Sequence, residues 1–361
     1  MDVDGNEWLD FLCGYGSSLF GFGDPEIEEA AERQRREEAV LNQPTERMVE
    51  LAEALTERID FAQWAVFAKN GSDVTTWATR VAREHTGRSI VLKAKGAYHG
   101  VDAWCDPGFG GRIPEDRAAI REFAWNDLDG FHSLLKECGE EIAAVILTPY
   151  HHAAFGASEM PADGFWEEVE SACRSRGIAL ILDDVRAGFR LHDGGSHRAF
   201  GFTPDLSCYS KALGNGYAIS ACLGREEFRR AAREVFLTGS CWNDAVAMAA
   251  ALKCLELGPD RGVVEKLDQL GRRLGSGLEE HASKHGLPLT MTGPPAMPFP
   301  CFEEDENLYS MQRFCESCAE KGLFFHPHHN WFLCGAHDEA AIDEALVAAE
   351  AALAEMAREN D

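Results

Sequence analysis

Positive charge is scarce in this chain. Its 361 residues carry 34 Lys and Arg against 61 Asp and Glu, for a formal net charge of -27. So acidic a protein is a poor partner for nucleic acid or anionic membranes, both of which reward clustered cations. Long apolar runs are missing as well, and no window approaches the ~20 residues of a membrane span. The opening "MDVDGNEWLDF" has neither the basic start nor the apolar stretch of an export signal, so a cytoplasmic protein is expected. The 12 cysteines follow no framework spacing, which fits reduced thiols better than disulfides. Neither an internal repeat nor a low-complexity tract is present. The Gly-Asn-Gly at 214–216 lacks the Gly-Lys-Ser/Thr ending of a nucleotide P-loop.

What the chain does have is alternation. Residues 64–70, 88–96, 141–149, 177–184 and 206–212 read as buried strands of ordinary length. Between them, 73–87 and 163–177 carry apolar residues at helical spacing and stop at glycine. Strand–helix alternation specifies an α/β fold, a mainly parallel sheet flanked by helices. The Gly/Pro-rich 107–117 has no periodicity and reads as a mobile loop. Past about residue 255 the pattern changes to helix, short strands and a final amphipathic helix, as expected of a smaller C-terminal α+β domain.

Ligands of a parallel sheet sit at the carboxyl ends of its strands, and four such ends stand out. Asn70-Gly71-Ser72-Asp73 follows a strand and opens a helix. Small residues there offer free N–H groups and a hydroxyl to a phosphate, or simply cap the helix. Tyr98 and His99 follow the next strand, where an aromatic covers a planar ring or marks an ordinary boundary. Asp183 and Asp184 end an apolar run, so at least one carboxylate is partly buried and needs a partner. Lysine is rarer here than arginine, yet Lys211 stands between a buried strand and a glycine turn with another strand beyond. Such a lysine either snorkels to water or does chemistry. Phosphate cup, aromatic lid, buried carboxylate and lone lysine together match what pyridoxal 5'-phosphate needs: a helix N-terminus, a partner for its pyridine nitrogen and an amine for its aldehyde.

In order along nearly the whole chain, the motifs resemble those of class III aminotransferases of fold type I, near the branch of glutamate-1-semialdehyde aminomutase. Residues 2–11 resemble the family's opening strand, 14–27 its glycine-rich segment (with Asp24-Pro25 for His-Pro), and 70–88 its phosphate cup. "YHG" at 98–100 resembles the cofactor-stacking turn, "LILDDVRAGFR" at 180–190 the Asp-Glu-Val segment, and "PDLSCYSKALGNG" at 204–216 the lysine segment. "GSCWNDAVAMAA" at 239–250 resembles the segment whose threonine reaches a neighbouring subunit's phosphate. The resemblance implies a Schiff base on Lys211, which then shuttles the proton, and Asp183 against the pyridine nitrogen. It further implies Tyr98 and His99 in the stacking turn, phosphate contacts from Gly71 and Ser72, and Ser240 (or Thr238, if the turn is shifted) across a homodimer with shared active sites. The implied domains are 1–24, a shortened part of the small domain; 25–255, the large cofactor domain; and 256–361, the C-terminal small domain.

The departures lie on the substrate side. The family's residues before the opening strand are missing, its Glu-Pro is Thr148-Pro149 followed by Tyr150-His151-His152, and a variable position is Arg186. A substrate carboxylate gripped by Arg186 is expected, with Tyr15, His151 and His152 shaping the pocket; internal pairing of Arg186 with Asp184, or a bond to the cofactor's phenolic oxygen, is the competing reading. Cys315 and Cys318 with His326, His328 and His329 imitate zinc-ligand spacing, but the cysteines follow a helical pattern and no metal is expected. The expected activity is amino transfer between a small-molecule amino donor and a carbonyl acceptor. Its rivals are an isomerase (an aminomutase or an amino-acid racemase) on the same cofactor, and a cofactor-binding protein without turnover.

Overall fold

The structure, a computed structural model, describes residues 1–41, 43–108, 110–152 and 156–360. It divides into a sheet unit, 23–151 with 161–261, and a terminal unit, 1–22 with 152–160 and 262–361. Residues 152–160 interrupt the stretch read above as the large domain and cluster with the two ends of the chain.

The sheet unit is built on seven strands: β1 Trp64–Ala68, β2 Ile90–Ala94, β3 Ile120–Phe123, β4 Ile142–Leu147, β5 Ala179–Asp183, β6 Leu206–Tyr209 and β7 Ser220–Gly224. Their order across the sheet is β1-β7-β6-β5-β4-β2-β3. The five from β6 to β3 run parallel, and β7 runs antiparallel to both β6 and β1. Every residue of β4 is buried, and the pleat sends successive residues to opposite faces. Val145 and Leu147 join Leu180, Leu182, Phe165 and Trp166 on one side, while Ala144 and Ile146 join Ile181, Val74, Trp77 and Val81 on the other. Covered on both faces, the sheet reads in sequence as near-continuous apolar runs.

The longer helices of this unit, among the described residues, are α1 Pro25–Glu37, α2 Glu46–Arg58, α3 Gly71–Thr86, α4 Leu128–Cys138, α5 Phe165–Arg176 and α6 Ala245–Asp260. α1 starts at Asp24, whose carboxylate accepts from the N–H groups of Glu26 and Ile27 and pairs with Arg261 at 2.5 Å. α3 ends at Gly87 in the left-handed conformation that glycine adopts without steric cost. In the 107–117 loop, Phe109 lies outside the described residues; Pro114–Arg117 forms a 3-10 turn, and Arg112 and Arg117 both pair with Asp106.

The terminal unit holds α7 Val263–Lys284, α8 Tyr309–Ala319 and α9 Glu339–Asn360. It adds an antiparallel ribbon of Leu289–Thr292 with Phe299–Phe302 and a short parallel pair, Leu9–Asp10 with Leu323–Phe324. Among the described residues, no helix is long and apolar enough to cross a membrane.

Candidate active site

The turn after β2 is fastened to the start of α3. Val101 N–H donates to Ser72 Oγ at 3.0 Å, and the Thr75 hydroxyl donates to the His99 carbonyl at 2.6 Å. Asp73 accepts from Asn70 N–H at 2.8 Å, closing the helix entry. Gly71 is required by close approach, since a Cβ there would come within 2.7 Å of Val185. The first turn of α3 thus lies against the chain just beyond Asp183, with helix N–H groups that have no acceptor within the helix.

The two aspartates ending β5 have different environments. Asp183 Oδ2 lies 2.7 Å from His99 Nδ1, and Oδ1 accepts from Val185 N–H at 3.2 Å. Asp184 is turned away, accepting from the N–H and hydroxyl of Ser196 at 2.9 and 2.5 Å. Burial pushes the Asp184 carboxyl up to about 7 against the opposing Ser196 hydrogen bonds.

Lys211 opens a 3-10 turn after β6 with φ 49°, a left-handed backbone that costs a non-glycine residue roughly 1–3 kcal/mol and persists where surroundings over-determine it. Burial first, then the positive Arg186, lower its ammonium to about 7, while Asp183 pulls the other way. Burial also lowers Arg186, opposed by Tyr150, Asp183 and Tyr98. Lys211, Arg186, Asp183 and Tyr98 therefore form one electrostatic set. His151 is buried against Trp125, the rings 5.7 Å apart and nearly parallel, and is pushed down to about 4 by burial, with His99 and Lys93 adding to the shift.

Gly71, Ser72, Tyr98, His99, Asp183, Arg186, Lys211, His151 and Ser240 all belong to the sheet unit. Ser240 and Thr238 are exposed in the turn before α6. Tyr15 and His152 belong to the terminal unit. There Tyr15 is half exposed, its ring 5.9 Å from His326 and 5.1 Å from His329. Cys315 and Cys318 are buried on α8, and neither belongs to the one group of three ligand side chains gathered closely enough for an ion among the described residues, which is Cys13, Cys334 and His337.

Sequence reasoning passed over two features. Lys93, 2% exposed near the end of β2, pairs with Glu122 at 2.7 Å and donates to the Ala97 carbonyl at 3.1 Å, bracing the turn that presents Tyr98 and His99. A lysine inside an unbroken buried run was its signal. The Asp183–His99 pair had none, because its members are far apart in sequence.

A mainly parallel α/β sheet with a lysine of lowered proton affinity and a paired carboxylate at adjacent strand ends defines an enzyme that works on a carbonyl or amine. The chain matches the family Aminotransferase class-III over residues 1–106 and 111–347, and it belongs to that family. It is a pyridoxal-phosphate enzyme of amino-group transfer. It is 39% identical over 99% of its length to an aminopentol aminotransferase of Sphingopyxis macrogoltabida, covering 85% of that protein. A 3-aminobutyryl-CoA aminotransferase of Cloacimonas acidaminovorans is 35% identical, with 99% and 87% covered. The solved PLP internal aldimine form of the FumI protein of Sphingopyxis sp. MTA144 superposes with a TM-score of 0.97 at 39% identity, with 99% and 86% covered. A glutamate-1-semialdehyde aminomutase of Pseudomonas aeruginosa, at 21% identity and a TM-score of 0.86 with 98% and 85% covered, shares the fold.

Proposed function

We propose that Lys211 and Asp183 carry an amino transfer from a small-molecule amine to a separate keto or aldehyde acceptor. The observation that carries this reading is Lys211, held in a strained turn beside Asp183 with its proton affinity lowered to about 7. A lysine so placed is about half amine near neutral pH, so it would hold the cofactor's aldehyde and would move a proton at the substrate's Cα. The bound cofactor supplies the electron sink that makes this proton removable. Asp183, oriented by His99, would receive the hydrogen bond of the ring nitrogen, and Tyr98 would cover the ring. The opening N–H groups of α3 at Gly71 and Ser72 receive the phosphate.

The active form on this reading is a homodimer in which Ser240, exposed in its turn, completes the phosphate site of the partner. Thr238 takes that role if the turn is shifted. A monomer in solution with a complete phosphate site overturns it.

Arg186 binds a carboxylate of the substrate or acceptor, with His151 of the same unit shaping the pocket beside it. Support comes from the charge of Arg186, which is close enough to Lys211 to be felt there, and from the planar fork of arginine, which suits a carboxylate. Acid and decarboxylated amine substrates compared in wild type and Arg186→Met test this. Equal weakening of both would assign Arg186 to the cofactor or the scaffold.

Transfer is tested by offering an amino donor with and without a separate keto acid. Turnover that needs the second compound supports transfer, whereas conversion of one compound alone makes the enzyme an isomerase.

A further inference from the structure

Most buried cysteines here sit in apolar surroundings. Burial pushes Cys105, Cys173, Cys254 and Cys318 up, which keeps such thiols inert. Cys13, Cys334 and His337 differ. Their sulfur and nitrogen atoms lie within 4.8 Å of one another, and all three residues are buried. Cys13 stands in a left-handed turn, φ 49°, fixed by Asp10 Oδ1, which accepts from the N–H groups of Leu12 and Cys13 at 2.6 and 3.2 Å. Its thiol faces the carbonyls of Asp10 and Phe332 at 3.5 and 3.4 Å. Hydrogen bonding from Cys13 lowers Cys334 below the ordinary thiol range despite its burial.

An ion is not the best occupant. His337 Nδ1 accepts the Cys334 N–H at 3.1 Å, and Nε2 lies 3.1 Å from the Asp10 carbonyl, so both imidazole nitrogens are spoken for. Two sulfurs remain, one from each end of the chain.

We infer that Cys13 and Cys334 are a modification site, a thiol pair that hydrogen peroxide converts into an intramolecular disulfide joining the two ends of the terminal unit. Both sulfurs are buried, so the oxidant must be small and uncharged. The Cys334 thiolate attacks one peroxide oxygen, the O–O bond breaks, and the other oxygen leaves as water after taking a proton. Cys13 then loses its proton and attacks the resulting sulfenic sulfur; the S–O bond breaks and a second water leaves. Two thiols are oxidised to one disulfide as one peroxide is reduced to two waters.

The sheet unit supplies the control. Cys208 and Cys222 are directly opposite across β6 and β7, equally buried, but burial raises Cys208 well above the ordinary range. Reduced holoenzyme is treated with graded peroxide, alkylated under denaturing conditions and digested without reductant. The expected product is a Cys13–Cys334 peptide lighter by two hydrogens, reversed by dithiothreitol, with Cys208 and Cys222 still alkylated. Cys334→Ser removes the cross-link, and Cys13→Ser leaves a sulfenic acid on Cys334 that dimedone traps. The wild-type map decides the matter even if a variant fails to fold. Full alkylation of Cys13 and Cys334 at a dose that oxidises the exposed Cys241 overturns the inference. So does a sulfinic acid on Cys334 without a cross-link, or stoichiometric zinc on the pair.

Discussion

The two units gather their polar side chains by different routes. In the sheet unit, parallel strands deliver Asp183 and Lys211 from adjacent ends, and the turn after β2 brings His99 to Asp183. The regular spacing of a sheet makes such convergence a matter of topology, so each residue is legible one strand at a time. In the terminal unit, the histidines that cluster in sequence, His326, His328 and His329, remain half-buried neighbours of one another and of Tyr15. The buried triplet is instead assembled from residues near opposite ends of the chain. Closeness in sequence is thus a poor guide to convergence, and position at a strand end is a good one.

The sharpest way to break this contrast is Lys211→Ala. It should remove the visible absorption of the holoenzyme and slow steady-state turnover by at least roughly 10²–10⁴-fold, the range of a positioned proton-transfer group. A variant with an unchanged absorption band would put the cofactor on another lysine. Next comes the pair of aspartates. Asp183→Asn should stay folded and lose about 3 kcal/mol of transition-state stabilisation, roughly a hundredfold in rate. Asp184→Asn, whose partner is Ser196, should leave the rate far closer to wild type. If the two losses are reversed, Asp184 rather than Asp183 faces the ring.

Much of the sheet unit could be read in advance because its strands are apolar throughout. All five expected strands are present, as is the strand beyond the lysine turn. β3 was not foreseen: it is an edge strand, and Arg121 and Glu122 break its apolar character. At the site, Asp183 and Lys211 were visible because polar residues inside apolar runs need a reason. The choice between Asp183 and Asp184 was not visible in spacing, since consecutive residues on a strand end differ only in which face they meet. Cys13 with Cys334 left no trace either, because nothing local in either segment marks the other.

His151 sharpens the comparison on the stability axis. Its folded-state pKa is about 4, against an ordinary value of 6.5, because burial disfavours the charged ring. Above pH 6.5 the ring is neutral in folded and unfolded chains alike, and nothing is lost. As pH falls from 6.5 towards 4, the unfolded chain takes up a proton that the folded chain refuses, so stability drops. The full shift corresponds to roughly 3 kcal/mol or a little more. His151→Phe, which keeps a ring against Trp125, should flatten denaturant-measured stability over that window. An acid limb as steep as wild type would mean the imidazole is accommodated in its charged form.

The smallest expected effect concerns the histidines of the terminal unit. His326 is lowered by burial, with a further contribution from the like charge of His328. Their rings are 6.1 Å apart, close enough for one charge to be felt by the other and too loosely enclosed to hold it off from water. His328→Asn removes only the second contribution. The His326 imidazole should then titrate slightly upward in an NMR titration, with unfolding free energy unchanged within about 0.5 kcal/mol, as for an ordinary surface change. Added zinc should leave both curves where they were, because the three rings pair edge to face rather than aiming their nitrogens at one point. If zinc instead abolished the titration of His326 and His329 together, the sequence cluster would be a metal site after all. The contrast between strand-end convergence and mere proximity in sequence would then fail in the unit where it was drawn.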